Sequence, residues 1–309
     1  MRERNVEKFF AYARAREQIR LDREAGRPRP WTEDKILQRN RFCNVHREDD
    51  KVTRWFRDNV RHRLRDRPEV LLATVVFRMF NRIETGEAIF RDDDLIDGSS
   101  AFDSFLRTGN TYDMKRAIVR RQGSGPYVTG SYIISTPPGK SKLDGVLWIL
   151  REFWKNKKSG HRNERFLPMD WREAASVMLS NNDALLQASW DWLRSHAYLG
   201  PFHSYEIVTD LAETRLLESA PDIMTWCNPG PGARRGLRRI CGGLDFRVDR
   251  GDMLPQMREL LRLSGQRRMW PWQDRPWIMR TVEHTLCEFD KYERLRLKQG
   301  RTKGKGDYA

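Results

Sequence analysis

Cysteine is scarce in this chain: there are four in 309 residues, Cys43, Cys227, Cys241 and Cys287, with no Cys-x-x-Cys pair. That argues against a disulfide framework and suits a reducing compartment. Long apolar runs are missing as well, since no segment reaches the ~18 uninterrupted apolar residues that a membrane span needs. The opening MRERNVEKFF lacks the apolar centre of a secretory signal. A cytoplasmic protein with no membrane partner is therefore expected. Acidic residues are in deficit, with 43 Asp and Glu against 58 Lys and Arg and a net charge of +15. A chain this basic seeks a polyanion, and nucleic acid is the first candidate. No internal repeat is present.

The patterns of two common cofactor sites are incomplete. Cys43-Asn44-Val45-His46 and His284-Thr285-Leu286-Cys287 could meet around zinc, but their spacing does not match a known finger. No metal and no cofactor is expected, and whether an ion links Cys43, His46, His284 and Cys287 is left open by the sequence. Gly139-Lys140-Ser141 resembles the end of a phosphate-binding loop, yet Ile134 stands where the first glycine belongs. Nucleotide-kinase chemistry is not expected there, although Lys140 and Lys142 could still face a phosphate.

What is present reads as helix. Phe9, Tyr12, Ala13, Arg16, Ile19 and Arg20 recur at helical spacing over 3–24, and Arg27-Pro28-Arg29-Pro30 breaks the run. Thr32 is a plausible N-cap for the next helix. The apolar stretch 69–82 predicts a buried core helix, and Asp170-Trp171-Arg172-Glu173 predicts a capping box. Further helices are expected at 143–157, 182–199, 201–220, 252–264 and 275–298. Glycines and prolines crowd 122–144, where a short hairpin or loop is expected. The fold class is mainly α, with an N-terminal lobe (1–122), a β/loop insert (123–144), a C-terminal lobe (145–298) and a mobile basic tail (299–309). Most of the 11 Trp and 14 Phe belong in the core, and some could stack on a base.

The most informative stretch is Asn228-Pro229-Gly230-Pro231-Gly232-Ala233-Arg234-Arg235-Gly236-Leu237. It has the shape of a helix-hairpin-helix turn. Gly230 and Gly232 would make a tight reversal, because glycine takes positive φ cheaply. Gly236 would let the second helix pack closely on the first. The new helix N-terminus offers N–H groups to a phosphate, with Arg234, Arg235, Arg238 and Arg239 beside it. Gly230, Gly232, Ala233, Arg234, Arg235 and Arg238 are the expected DNA-binding residues.

Three polar constellations could carry chemistry. If 41–50 were helical, Asn44, Arg47 and Glu48 would share a face. On 283–294, Glu283, Cys287 and Asp290 would stack on one face and His284, Glu288 and Lys291 on the next. The third runs from Gly200 through His203, Tyr205 and Glu206 to Asp210. Each is ordinary by itself.

Taken together, the stretches 30–37 with 41–50, 226–237 and 283–292 resemble the phage-associated family of alpha-glutamyl/putrescinyl thymine pyrophosphorylases. The same region is catalogued as the helical domain that accompanies 5-hydroxymethyl-deoxyuridine DNA kinases. The resemblance covers nearly the whole chain. It implies a two-lobed fold like that of helix-hairpin-helix DNA glycosylases. It also implies a transferase that replaces the phosphate of a phosphomethyl-uracil base in double-stranded DNA with the amine of a free amino acid or polyamine. A monomer in the host cytoplasm is expected.

That reaction assigns candidate roles. A buried site needs the base flipped out of the stack. Asn44 could read its edge, Arg47, Lys142 and Lys291 could neutralise the leaving phosphate, and Tyr205 and Asp290 could contact substrate. Glu48, Asp210, Glu283 and His203 are the candidates for taking the amine proton. Two other readings stay open, a DNA glycosylase and a non-catalytic DNA-binding module. The glycosylase superfamily places a carboxylate about twenty residues beyond its hairpin, a spacing that Asp249 and Asp252 satisfy. Arg234 or Arg235 stands where bifunctional members carry lysine, and a guanidinium cannot form a Schiff base.

Overall fold

A computed structural model describes residues 1–91, 98–155, 169–243 and 253–298. These residues form helices and loops, with no β-strand among them. The chain resolves into two compact units, the second inserted in sequence within the first: Met1–Asp50 with Ile223–Ala309, and Lys51–Asp222. This differs from lobes divided at 122 and 145. The reason is physical. The first helix and the last pack together, so proximity in sequence is a poor guide to the division.

The first unit opens with α1 (Glu3–Glu24), which buries Val6, Phe9, Phe10, Tyr12, Ala13 and Ile19 as its periodicity predicts. Gly26, at φ +67°, turns the chain away. Helix α2 (Lys35–Arg39) is capped by Asp34 and not by Thr32. The Asp34 carboxylate accepts from the Ile36 and Leu37 N–H groups, while the Thr32 hydroxyl accepts from the Asp34 N–H at 3.2 Å.

The second unit begins with α3 (Lys51–Phe56), continues through a π-helical turn (Arg57–Arg61) and ends the run in α4 (His62–Leu64). Helix α5 (Glu69–Phe80) is the core element, buried at every position from Val70 to Phe80. Helices α6 (Ile83–Phe90), α7 (Ala101–Thr108) and α8 (Tyr112–Gln122) pack near it. The 123–141 segment is a loop without strand, and it belongs inside this unit. The Thr129 N–H donates to Phe80 O at 2.9 Å and the Thr85 hydroxyl to Tyr127 O at 2.6 Å. Helix α9 (Lys142–Trp154) follows, capped by Ser141. Helix α10 (Trp171–Ser180) carries the predicted Asp170–Glu173 capping box. Helices α11 (Leu186–Arg194) and α12 (Pro201–Leu211) complete the unit. Helix α12 stops short of the expected 220, where the Thr214 hydroxyl donates to Leu211 O at 2.7 Å and competes with the helical ladder.

The chain then returns to the first unit with α13 (Pro231–Cys241), α14 (Met253–Ser264) and α15 (Met279–Arg296). Phe9 of α1 meets Phe10, Trp277 and Phe289 edge-on, at ring separations of 5.2, 5.9 and 5.6 Å. Such edge-to-face pairs add to the burial of their apolar area. No helix is long and apolar enough to cross a membrane among the described residues.

Candidate nucleic-acid interface on α13 and α15

Helix α13 starts at Gly230, whose φ of −72° and ψ of 173° are extended, with Pro231 at the first helical position. Neither Gly230 nor Gly232 has positive φ. Residues 221–230 form turns and irregular backbone, not a preceding helix. The glycines therefore serve close approach, not chain reversal. A Cβ on Gly232 would lie 2.4 Å from Cys287 Sγ, and one on Gly236 would lie 2.2 Å from the Leu286 carbonyl oxygen. Four residues apart, they form one bare stripe of α13 against α15. The helix that Gly236 admits is α15, not the first arm of a hairpin.

The seam is fixed at both ends. The Gly230 N–H donates to Glu283 Oε1 at 3.2 Å, so a carboxylate of α15 caps the positive end of α13. Farther along, the fully buried Asp290 accepts from Nε of Arg235 (2.7 Å), Arg239 (2.9 Å) and Arg294 (3.2 Å). One carboxylate thus faces three guanidinium groups, and the cluster keeps an excess of positive charge. On the adjoining stripe of α13, Arg234 and Arg238 are four residues apart and have no acidic partner among the described residues. Arg238 Nε is buried without a hydrogen bond. Arg234, one turn into α13, and Arg238, in its last turn, present two guanidiniums on one face that can meet an anion.

The 40–50 segment is a loop with one short 3-10 turn (Arg47–Asp49), not a helix, so Asn44, Arg47 and Glu48 do not share a helical face. Contacts from distant residues impose this shape. The Arg16 guanidinium donates to Phe42 O (3.1 Å) and Cys43 O (3.3 Å), and the Cys43 N–H donates to Glu288 Oε2 (3.0 Å). Asn44 is buried, and its Nδ2 donates to Asp49 O at 2.9 Å. Its amide holds the loop. Arg47 Nη1 lies 3.6 Å from Asp50 Oδ2. The Lys291 ammonium donates to Arg41 O and sits 4.9 Å over the Phe42 ring. Burial pushes the Cys43 thiol well up, as do Glu288 and Asp50. Burial, then Arg275, lowers His46 to about 4.

In the second unit, Lys142 Nζ donates to Ile134 O at 2.5 Å and closes the loop before α9. Asp210 is fully buried and bidentate with Arg78, whose Nη2 lies 2.8 Å from Oδ1. Arg61 Nη1 is 3.3 Å from the same oxygen. Tyr205 and His203 are buried on α12, where Tyr132 stands edge-on to His203 at 5.9 Å and donates to Glu206 at 2.6 Å. Burial lowers the His203 pKa. Asp249 and Asp252 lie outside the described residues.

Arg16, Arg61, Arg78 and Arg294 were missed in the sequence. Arg78 did leave a signal, as a lone charge inside a run of otherwise apolar helix.

The family model for the helical domain of 5-hmdU DNA kinase matches residues 3–302. A curated relative, the 5-hmdU DNA kinase of Bacillus phage SP10, is 25% identical over 232 residues, which cover 70% of this chain and 32% of that protein. The chain thus spans about a third of the relative's length in the matched region. No solved structure matches. Taken with the match over residues 3–302, the chain belongs to the family of 5-hmdU DNA kinase helical domains.

Proposed function

We propose that this chain modifies thymine derivatives in double-stranded DNA, gripping the phosphate backbone with the cationic stripe of α13. The observation that carries the reading is the pair Arg234 and Arg238 on one face of that helix, in a chain with a net charge of +15. The family match supports that substrate class. The relative's name specifies a hydroxymethylated uracil in DNA.

The reaction is amine transfer on a flipped-out base. The amine of an amino acid or polyamine attacks the exocyclic carbon of a phosphomethyl-uracil. The carbon–oxygen bond to phosphate breaks, the phosphate leaves with the electron pair, and the amine gives up a proton. His203 is the favoured base among His203, Glu48, Glu283 and Asp210, because burial keeps its imidazole neutral and able to accept that proton. Glu283 and Asp210 have structural partners to hold. Within the first unit, Arg47 and Lys291 are the candidates for meeting the leaving phosphate.

The test is a nucleoside digest of phosphomethyl-deoxyuridine DNA incubated with this protein and amino acids or putrescine. A nucleoside heavier by the amine supports transfer. An abasic site supports excision instead. Phosphorylation of hydroxymethyl DNA by ATP with no transfer would move the reading to a kinase.

A further inference from the structure

We propose that Cys43, Asp50 and His284 form a binding site for one divalent transition ion of the zinc class, joining the 40–50 loop to α15. One ligand atom from each residue lies within 4.8 Å of the others. The set is chemically mixed: a thiol sulfur, a carboxylate oxygen and an imidazole nitrogen. Zinc favours these donors, at about 2.3 Å for sulfur and 2.0–2.2 Å for nitrogen and oxygen. Tetrahedral ligation puts neighbouring donors about 3.3–3.7 Å apart, so closing from a spread of up to 4.8 Å takes side-chain adjustment of about 1 Å.

The residues expected to meet around zinc are not the ones brought together. His46 packs against Trp270 at a ring separation of 5.8 Å, and Cys287 is turned toward Gly232. Asp50 stands where a histidine or second cysteine is expected.

The surroundings favour an ion on grounds that do not involve those three atoms. The Tyr12 hydroxyl is buried without a hydrogen-bond partner, and its ring meets that of Phe42, the residue before Cys43, at 5.9 Å. An orphaned buried hydroxyl costs free energy, and a water on an ion's remaining coordination position would satisfy it. The ligands are also pre-positioned. The Cys43 N–H is held by Glu288, and Asp50 Oδ1 accepts from the Asn44 N–H at 2.9 Å, leaving Oδ2 without a hydrogen bond and 3.6 Å from Arg47 Nη1. Glu288 lies one turn from His284 on α15, so the backbone of one ligand is fixed by the helix that carries another. Backing of this kind orients metal ligands. On binding, the Cys43 thiol loses its proton to solvent and sulfur bonds the ion, so one proton is released per ion.

The test uses the full chain, stripped with a chelator and titrated with cobalt(II) and zinc(II) alone. One cobalt per chain with a thiolate-to-cobalt charge-transfer band is expected, displaced by zinc, with release of one proton. Cys43→Ser should abolish the band. Asp50→Asn and His284→Ala should each weaken zinc at least tenfold, while Cys241→Ser leaves it unchanged. If a variant misfolds by circular dichroism, the wild-type titration still decides. No charge-transfer band, or a band that survives in a folded Cys43→Ser chain, would overturn the proposal.

Discussion

Gly236 of α13 faces the backbone of Leu286 in α15 so closely that an added Cβ would sit 2.2 Å from the Leu286 carbonyl oxygen. That contact sets how near the arginine-bearing helix lies to the helix that carries Glu283 and Asp290. Gly232 does the same one turn earlier, but it meets the Cys287 side chain at 2.4 Å.

The two glycines therefore predict different rescue behaviour. Gly236→Ala collides with backbone and should cost about 1–3 kcal/mol or more, as overpacking does, with no Leu286 substitution relieving it. Gly232→Ala should also destabilise, and Cys287→Ala should recover much of that loss, because it removes the colliding sulfur. Urea unfolding of the four variants checks this. A Gly236→Ala protein as stable as wild type would contradict the packing account.

Asp210 lies between Arg78 and Arg61 in the interior of the second unit. Replacing it with Asn leaves two buried guanidiniums without a counter-charge, which should cost about 3–5 kcal/mol. The double change Asp210→Leu with Arg78→Met should cost less than Asp210→Leu alone, since it removes one of the two guanidiniums that share that carboxylate. Thermal unfolding followed by circular dichroism measures both. If Asp210→Asn stays fully folded yet is inactive, Asp210 belongs to the chemistry and not to the core.

His46 makes the first unit sensitive to acid. Its folded pKa of about 4 lies below the ordinary 6.5, mainly through burial and then through Arg275, with Arg20 acting the same way and Glu17 and Asp49 opposing. The unfolded chain therefore binds more protons between these values. Stability is present in full above pH 6.5 and falls as the pH drops toward 4, by on the order of 2–3 kcal/mol. In metal-stripped protein, His46→Leu should flatten that part of the stability curve. An unchanged slope would show that His46 does not titrate as described.

The legible parts of the fold were those with local causes. Helix α1 followed from apolar spacing, and α10 from Asp170 and Glu173 three residues apart. The unread parts depend on distant partners. Asp210 and Arg78 are 132 residues apart in sequence, and the hydrogen bond that holds Cys43 spans 245 residues. Polar spacing over 41–50 looks helical until Arg16 and Glu288 draw the backbone into a loop. Gly232 reads as a reversal residue and Gly236 as a close approach to a preceding helix, because sequence shows a missing side chain and not what occupies its place; both meet α15.

The most direct test of the central claim measures binding of the chain to double-stranded DNA as salt is varied, for wild type and for Arg234→Ala with Arg238→Ala. Each phosphate contact contributes about 0.9 to the slope of log K against log salt. The double variant should bind more weakly at every sequence, with a slope shallower by about 2. Arg262→Ala, on α14 and paired with Glu259 at 2.7 Å, should change neither quantity. Equal affinity and an equal slope for the double variant would mean that α13 does not hold the phosphate backbone.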